Sequence, residues 1–349
     1  MATLAKQRPG VFSDYQTSGI LYSKKSGKSI AIVAKSSLSE VNAVYNVQRL
    51  SDAQTIFGAE SMMYSLCAVA FENGASNICA VSVGDSDENY NDAFELISAT
   101  DGICAVVCDS TDLATQQLLM QSVVAASLNK KERLGIVAAP ENQSDLAAWA
   151  ANFNNERILL VAQSHVTAEG TTLSGCVLSA AVAAKISQYV DPAQSFNGVA
   201  LSGFSTLNKA LTEDEVDFYI NSGIIPFETI AGRVEIIRAV TSKTTSDGVL
   251  DKTFKDINTV LIIDAVITAV RETLSKNISV AKNNITTRSA ISSQVTIKLQ
   301  EFLEAAIIDS YAVPNVYQAA EDPSVCIVEL DFTVALGINQ IHIIANISV

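Results

Sequence analysis

The sequence predicts an α/β protein, in which a doubly wound, mainly parallel sheet domain precedes an α+β C-terminal domain. Three observations lead to this fold class. Short apolar runs alternate with helical stretches in the first half of the chain, a strongly amphipathic helix marks the last third, and two segments of period-2 alternation close the chain. The 349 residues are sufficient for about two or three domains, each with its own core.

The strands of the parallel sheet are predicted from continuous apolar runs, which are typical of strands covered on both faces. These runs are residues 29–34, 77–83, 102–108, 133–139 and 157–163. The helices that alternate with them are predicted over residues 59–72, 88–98, 112–128 and 144–153. Asp112 and Ser144 are the predicted N-caps of the last two helices, because a short acceptor side chain can bind the free backbone N–H groups there.

Helices dominate the prediction after residue 170. One helix is predicted over residues 173–189. A second helix is predicted to start at Thr212, which has the spacing of a capping box with Glu215, and to end at Gly223. A strand is predicted over residues 234–240. The helix over residues 256–274 is amphipathic, with apolar residues in steps of three and four: Val260, Ile263, Ile267, Val270 and Leu274. A second such helix is marked by Ile291, Val295, Leu299 and Phe302.

Two alternating segments close the chain, residues 325–334 and 340–349, and residues 335–339 would join them as a hairpin. No lysine or arginine follows Lys298, so both strands lack the basic residues that commonly protect strand edges. An apolar strand without such protection needs a partner. We therefore expect the last strand to be covered, either within the protein or by another molecule.

The net charge of −14 is unevenly distributed. Residues 1–49 carry +5, residues 50–231 carry −16, residues 232–298 carry +4 and residues 299–349 carry −7. Two interpretations are open: a solvated acidic middle region, or two basic segments that form one face towards an acidic partner. Nucleic acid is the weaker candidate for that partner, because the chain has no aromatic-rich basic stripe.

The sequence predicts synthesis in a reducing cytoplasm. The first twenty residues lack the apolar region of a signal peptide, and the longest apolar stretch, residues 257–270, contains Asn258 and Asp264. We therefore expect no membrane span. The six cysteines lie mostly in apolar runs and are interpreted as small buried hydrophobic residues.

The sequence lacks the common catalytic and cofactor motifs. Residues 26–29 end like a P-loop, but Tyr22 stands where the first glycine is needed. Neither a dinucleotide-binding glycine motif, a nucleophile elbow nor a zinc-ligand set is present. Of the two histidines, His165 is expected on the surface near a strand end, and His342 is expected to face solvent or a neighbouring strand. We predict a non-enzymatic protein without catalytic, cofactor-binding or metal-binding residues.

Four segments follow one another in a characteristic order. They are RPGVF at residues 8–12, the Phe-Gly helix and valine-rich strand of residues 57–83, the helix–glycine–strand segment of residues 211–242, and residues 256–270 followed by KNN at 282–284 and Arg288. In this order and spacing they resemble contractile tail sheath proteins of phages and phage-tail-like bacteriocins. Phe12 stands where that family usually has a tyrosine. The resemblance spans nearly the whole chain.

The resemblance implies a domain organisation with exchanged terminal β-strand arms. The implied divisions are an N-terminal arm (1–28), a segment that packs with the conserved core (29–84), an outer α/β domain (85–205), a conserved C-terminal sheath domain (206–335) and a C-terminal arm strand (336–349). Each subunit would lend its two arms to neighbouring subunits, whose sheets they would extend.

The resemblance also implies a function. Subunits would polymerise as stacked hexameric rings around an inner tube, and contraction would drive the tube through a target cell envelope. The implied partners are further copies of the chain, the inner tail tube protein, and baseplate and tail terminator proteins, without nucleic acid, membrane binding or a cofactor. Assembly would take place in the bacterial host cytoplasm, and the sheath would be part of the released virion tail or tail-like particle.

Three groups of candidate site residues follow from this interpretation. The inter-subunit arm strands contain Thr17, Ile20, Leu21, Tyr22, Ile341, Ile343, Ile347 and Val349. The hinge candidates are Gly19, Gly27, Gly337 and Asn339. The tube-facing candidates are Arg271, Lys276, Lys282, Arg288 and Lys298.

Two alternative functions are considered beside the sheath. A non-contractile shell or surface-layer protein would use the same strand exchange. An α/β enzyme of unknown substrate would place a cleft at the strand ends near Asp109, Pro140 and His165.

Overall fold

A computed structural model describes residues 28–141, 143–166, 172–275, 282–337 and 339. It confirms the predicted fold class: a mainly parallel seven-stranded sheet is covered by helices on both faces, and small antiparallel sheets accompany it. None of the helices in the described part of the chain has the length and apolar character of a membrane span.

The bounds of the elements follow in chain order. The strands are β1 (Ser29–Ala34), β2 (Val44–Val47), β3 (Ile78–Ser82), β4 (Ile103–Cys108), β5 (Leu134–Ala138), β6 (Ile158–Val161), β7 (His165–Val166), β8 (Thr172–Leu173), β9 (Val199–Leu201), β10 (Ile224–Ile225), β11 (Phe227–Ile230), β12 (Arg233–Ile236), β13 (Thr245–Ser246), β14 (Val249–Leu250), β15 (Ile308–Tyr311), β16 (Asn315–Gln318), β17 (Cys326–Glu329) and β18 (Phe332–Val334). The helices are α1 (Leu50–Phe57), α2 (Met62–Glu72), α3 (Tyr90–Ala99), α4 (Leu113–Leu128), α5 (Leu146–Ala151), α6 (Gly175–Gln188), α7 (Glu213–Asn221), α8 (Ile257–Ser275) and α9 (Ile285–Glu304).

The large sheet has the strand order β10-β6-β5-β4-β1-β3-β2. All neighbours are parallel except β2, which pairs with β3 in antiparallel orientation at one edge. The chain runs from β1 outwards to β3, crosses back over β1 to β4 and continues to β5 and β6, which is a doubly wound arrangement. Because β1 pairs with both β3 and β4, the sheet extends across residue 84, where the resemblance implies a domain division.

Two cores cover the two faces of this sheet, because successive residues of a strand point to opposite sides. In β1, Ile30 and Ile32 belong to the core with α2 and α6, whereas Ala31 and Val33 belong to the core with α3, α4 and α5. Nearly every residue of β1, β3, β4, β5 and β6 is buried. The continuous apolar runs of the sequence are thereby explained, since neither face of these strands meets water.

The predicted helix caps are confirmed at two of three positions. Asp112 caps α4, and Thr212 and Glu215 form a complete capping box at the start of α7. The cap expected at Ser144 is wrong. Asp145 takes this role instead, because its carboxylate accepts a hydrogen bond from the third backbone N–H of α5 at 2.9 Å.

Gly223 ends α7 as predicted. Its φ angle is +73°, in the left-handed region where glycine avoids the strain of a side chain. A Cβ atom at this position would lie 2.8 Å from the carbonyl oxygen of Thr241. The turn from α7 into β10 therefore needs glycine for both its conformation and its close packing.

Short elements are the ones that sequence reasoning missed. Helix α1 and strand β2 lie in a stretch without an assignment, and β10 adds only two residues to the edge of the large sheet. Strands β9, β11 and β12 form a separate antiparallel sheet, of which only β12 overlaps a predicted strand. Strands of two to four residues are too short for a period-2 pattern, so their position depends on tertiary pairing.

His165 is buried, and the expectation of a surface position is wrong. Its side chain is 7% exposed, its Nδ1 lies 2.9 Å from the carbonyl oxygen of Thr206, and its ring packs edge-on against Phe204. The residue lies in β7 and also forms a bridge with Leu207, so the segment around residues 204–207 covers it.

Residues 257–337, which comprise α8, α9 and the strands β15 to β18, are referred to below as the C-terminal unit; residues 28–240 are referred to as the sheet unit. The C-terminal unit has a core of its own, formed by α8, α9 and β15. The predicted strand over residues 325–334 is divided at Leu330 and Asp331 into β17 and β18. The strand that pairs with it is interrupted between β15 and β16, opposite the same point. Pro314 lies in this interruption and lacks the N–H group that a continuous ladder needs.

Replacement of Arg133 by methionine is expected to destabilise the sheet unit. Arg133 is 2% exposed, and its guanidinium donates hydrogen bonds to the carbonyl oxygens of Ile97, Thr100 and Lys131 at 2.7, 2.8 and 3.1 Å. Loss of these three buried hydrogen bonds should lower the free energy of unfolding by about 2–4 kcal/mol.

Urea denaturation measures this change. The matched control is Arg233→Met, because Arg233 is exposed, and its effect should stay within about 0.5 kcal/mol. Equal effects of the two replacements would contradict a capping role for Arg133.

Candidate assembly surface

The four strands of the C-terminal unit form one long, bent hairpin. Strand β15 pairs with β18 and β16 pairs with β17, both in antiparallel orientation. Asn283 anchors the turn of this hairpin, since its Nδ2 donates to the carbonyl oxygens of Pro323 and Val325 at 2.8 and 3.2 Å. Arg288 in turn donates to Oδ1 of Asn283 at 2.8 Å. The hairpin tip is thus fixed to the start of α9.

The two faces of the hairpin differ in character. Apolar side chains such as Val328 and Phe332 pack against the core of the C-terminal unit. On the other face, Tyr317 and Asn315 donate to the carboxylate of Glu329 at 2.6 and 2.9 Å. The hydrogen bonds from Tyr317 and Asn315 lower the pKa of Glu329, which keeps it ionised. Both faces are therefore ordered by contacts within the subunit.

Both long edges of the hairpin are unpaired among the described residues, since each strand has one neighbour only. Ala319 donates its N–H to the carbonyl oxygen of Val325 at 3.0 Å, which makes these residues a hydrogen-bonded pair. Bonded and non-bonded pairs alternate along an antiparallel ribbon, so the next pair, Gln318 and Cys326, is non-bonded. The backbone N–H and C=O groups of Gln318 and Cys326 therefore point away from the hairpin. The same holds for the non-bonded pair two residues further along the strands, Val316 and Val328.

These edges carry little protection against a further strand. Residues 299–349 contain seven acidic residues and no lysine or arginine. Lysine on an edge strand is a common device against unwanted pairing. A rigid hairpin with outward-directed backbone groups is the structure to which an extended segment of another molecule can add a strand.

The predicted arm strands lie outside the described residues, as do two of the hinge candidates. These are Thr17, Ile20, Leu21, Tyr22, Ile341, Ile343, Ile347 and Val349 of the arms, and Gly19 and Gly27 of the hinges. The other hinge candidates lie against the sheet unit: Asn339 accepts a hydrogen bond from Asn197 at 2.8 Å, and Gly337 is adjacent to Ser195. Their role as hinges stays a prediction.

Two of the tube-facing candidates are engaged within the subunit. Arg271 donates to the carboxylate of Glu132 in the sheet unit at 2.8 Å. Arg288 holds Asn283, as described above. Their contact with a tube stays a prediction.

The remaining tube-facing candidates are three lysines that differ in their contacts within the subunit. Lys276 lies outside the described residues. Lys282 is exposed just before α9, and within the described part of the chain its side chain has no partner. Lys298 forms an ion pair with Glu301 on α9. Their contact with a tube stays a prediction.

Asp109, one of the residues considered for an enzyme cleft, is engaged in structural contacts. The carboxylate of Asp109 accepts hydrogen bonds from the Tyr90 hydroxyl and from the backbone N–H of Lys35. Burial raises the pKa of the Cys67 and Cys176 thiols to about 12, so these cysteines are protonated at neutral pH. Across the described residues, no group of three His, Cys, Asp or Glu side chains is arranged to hold a metal ion.

Two family models cover most of the chain. The phage tail sheath protein central domain matches residues 85–242, and the phage tail sheath C-terminal domain matches residues 250–348. The chain belongs to the phage tail sheath family. The resemblance found in the sequence is thereby confirmed, and membership implies a structural rather than an enzymatic role for this sheath protein. No curated protein sequence matches the chain.

Solved structures of sheath proteins share the fold of this sheath protein. The sheath tail protein of Desulfitobacterium hafniense is 11% identical, with a TM-score of 0.70 over 93% of this chain and 100% of that chain. A chain in the six-fold symmetrised baseplate of the anti-feeding prophage is 13% identical, with a TM-score of 0.74 over 99% and 100%. A chain in the contracted sheath complex of the extracellular contractile injection system PVC is 12% identical, with a TM-score of 0.73 over 99% of both chains.

Sequence reasoning missed the first strand of the hairpin in this sheath protein, although it found the second. The segment over residues 308–318 contains few large apolar residues and is interrupted by Pro314. Its one sequence signal is the β-favouring run around Val316 and Tyr317. The open edges of the hairpin are visible only after this strand has been paired with β17 and β18.

Proposed function

We propose that this protein is the subunit of a contractile sheath, in which stacked hexameric rings surround an inner tube and drive it through a target cell envelope. The observation that carries the proposal is the hairpin of the C-terminal unit, whose long edges are unpaired among the described residues. Family membership supports it, and so does the fold shared with the contracted PVC sheath complex. The proposed partners are further copies of the chain, the inner tail tube protein, and baseplate and tail terminator proteins.

The arms of neighbouring subunits are the proposed occupants of the hairpin edges. Residues 17–22 and 341–349 would add strands there, so that backbone hydrogen bonds supply affinity and alternate side chains fix the register. At about 0.5–1.5 kcal/mol net for each hydrogen bond, a five-residue strand contributes a few kcal/mol. This is sufficient to keep rings linked while other interfaces slide.

Charge favours the N-terminal arm as a partner of the hairpin. Residues 1–28 contain five Lys or Arg residues and one Asp, a net charge of +4, whereas residues 299–349 carry −7. Opposite charges on two segments raise the rate of encounter and disfavour wrong partners. The uneven charge distribution then has a role in assembly between copies of the chain.

The segments beside the arms would act as hinges during contraction. Gly19 and Gly27 would serve the N-terminal arm, and Gly337 and Asn339 the C-terminal arm. Glycine supports such a role because it loses little energy when its backbone angles change. On the C-terminal side, the hydrogen bond from Asn197 to Asn339 would have to break if this hinge moved.

Electron microscopy of the purified full-length protein tests the proposal. We expect long hollow helical tubes, formed with or without the inner tube protein. Flat arrays would instead indicate a shell or surface-layer protein, and monodisperse particles that never assemble would overturn the proposal.

Charge reversal at Lys276 and Lys282 is expected to weaken co-assembly with the inner tube. Contacts that must be released during contraction suit screened charge pairs, which contribute about 0–1 kcal/mol each at an exposed site. The variant Lys276→Glu/Lys282→Glu should co-sediment less with the tube at low salt, and the difference should shrink at high salt because ions screen the contact.

The matched control for this experiment is Lys252→Glu, because Lys252 is an exposed lysine between the two units. Arg271→Glu is unsuitable, because it would place a second carboxylate beside Glu132. Unchanged co-sedimentation of the double variant at low salt would contradict the tube-facing assignment.

A further inference from the structure

Helix α8 connects two separate hydrophobic cores. Its first turn, with Ile257 and Val260, is buried in the core of the sheet unit that also contains α2 and α6. Further along, Ile262, Val266 and Val270 are buried in the core of the C-terminal unit. The apolar contact of α8 with the sheet unit therefore ends within its first turns, and other contacts must orient the rest of the helix.

One face of α8 is apolar in the first turn of the helix and carries charged residues further along. Ile257, Asp264 and Arg271 are seven residues apart, so they lie on nearly one line along the helix, about 10.5 Å from one to the next. Asp264 and Arg271 continue the line on which Ile257 packs into the sheet unit. The residues opposite to them, such as Val266, face α9.

Each charged residue of this line meets an opposite charge of the sheet unit. Arg157, just before β6, donates two hydrogen bonds of 2.8 Å to the carboxylate of Asp264, and both side chains are 16% exposed. Arg271 donates to Glu132, just before β5, at 2.8 Å, and Glu132 is 13% exposed.

A third pair, between Arg238 and Asp256, lies at the start of the helix, with distances of 2.9 and 3.0 Å. These three ion pairs are referred to as the α8 seam.

The order of charges along the seam specifies one register. Asp264 is the acid and Arg157 the base in one pair, whereas Arg271 is the base and Glu132 the acid in the next. A shift of α8 by two turns would place like charges together.

Glu132 stays ionised in this seam. Burial by itself would raise the pKa of Glu132, but the hydrogen bond from Arg271 and the charges of the nearby arginines have a larger combined effect. The pKa of Glu132 is therefore lowered.

We propose that the α8 seam is a positioning device that holds the C-terminal unit at one angle and register to the sheet unit. Partly buried ion pairs of this kind add little net stability, because desolvation offsets their attraction, but a mismatched charge is unfavourable. Specification of geometry is their best-supported role. In the sheath the seam would fix where the open hairpin edges stand relative to the rest of the subunit. This consequence rests on the proposed function, whereas the test below does not.

Spin-label distance measurements on the full-length, unassembled chain test the proposal. One label is placed on α3 by Glu95→Cys and one on α9 by Ile297→Cys, both exposed positions, with Cys326→Ser to remove the partly accessible native thiol. We expect a narrow distance distribution. Asp264→Arg alone and Arg157→Asp alone should shift or broaden it, and the combination Arg157→Asp/Asp264→Arg should restore it.

Two further variants keep the test decisive if a charge reversal prevents folding. Glu132→Gln preserves the shape of the side chain and removes its charge, and it should broaden the distribution in a folded protein. Lys209→Glu disrupts an exposed ion pair with Glu215 away from the seam and should leave the distribution unchanged. An unchanged distribution in Glu132→Gln and in the folded single reversals, or a failure of the combined variant to restore it, would overturn the proposal.

Discussion

Deletion of residues 340–349 is expected to abolish sheath formation while the subunit remains folded. The described strands and helices are built from residues 29–334, and we expect these residues to be sufficient for folding of the truncated subunit. In the proposed assembly the segment adds a strand to a neighbouring hairpin and contributes a few kcal/mol for each link. Electron microscopy with the inner tube measures assembly, and thermal unfolding followed by circular dichroism measures folding.

The control keeps the backbone of the segment and alters one side chain. In the predicted strand, His342 alternates with Ile341 and Ile343. His342→Ser would therefore change the face opposite to them, whereas Ile343→Lys would place a charge on the predicted apolar face. We expect sheaths from the first and none from the second. Contracting sheaths formed by the truncated chain would show that the last strand is not the link between subunits.

Proline on the hairpin edge that receives an arm is expected to prevent assembly as effectively as the deletion. Gln318 and Cys326 direct their backbone N–H groups outwards, one on each edge. Proline removes that group without breaking the ladder between β16 and β17. Gln318→Pro and Cys326→Pro therefore test the two edges separately, and the free energy of unfolding should change by no more than about 1 kcal/mol.

Matched replacements isolate the effect of the backbone. Gln318→Ser and Cys326→Ser change the same side chains but keep the N–H groups, so both should assemble. If both proline variants form normal sheaths in electron micrographs, strand addition at these edges is excluded. If only one fails to assemble, the receiving edge is identified.

The central sheet was the most predictable part of the molecule. Strand β1 has the predicted bounds, and α4 differs from its prediction by one residue. Both elements lie where local sequence and burial agree: an apolar run without polar alternation forms a buried strand, and Asp112 caps the helix that follows β4. No distant residue has to be known for either inference.

The assembly surface was predictable only in part. The alternation of residues 325–334 indicated a strand, and the family resemblance indicated exchanged arms. The position of its partner strand did not follow from the sequence, because Pro314 and the polar residues around it hide the pattern of β15 and β16. Their pairing with β17 and β18 is what leaves two edges open.

The residues alone were sufficient for the fold class, the family and the absence of common catalytic motifs, because each depends on local periodicity or on the order of short segments. Tertiary structure was needed wherever a residue's role depends on a distant partner. Arg271 looked like a free surface charge until Glu132, 139 residues away, was found beside it, and His165 looked exposed until the segment around Thr206 was found to cover it. Contacts between such distant residues leave no local pattern, so only the folded chain reveals which charges and strand edges remain open to a partner.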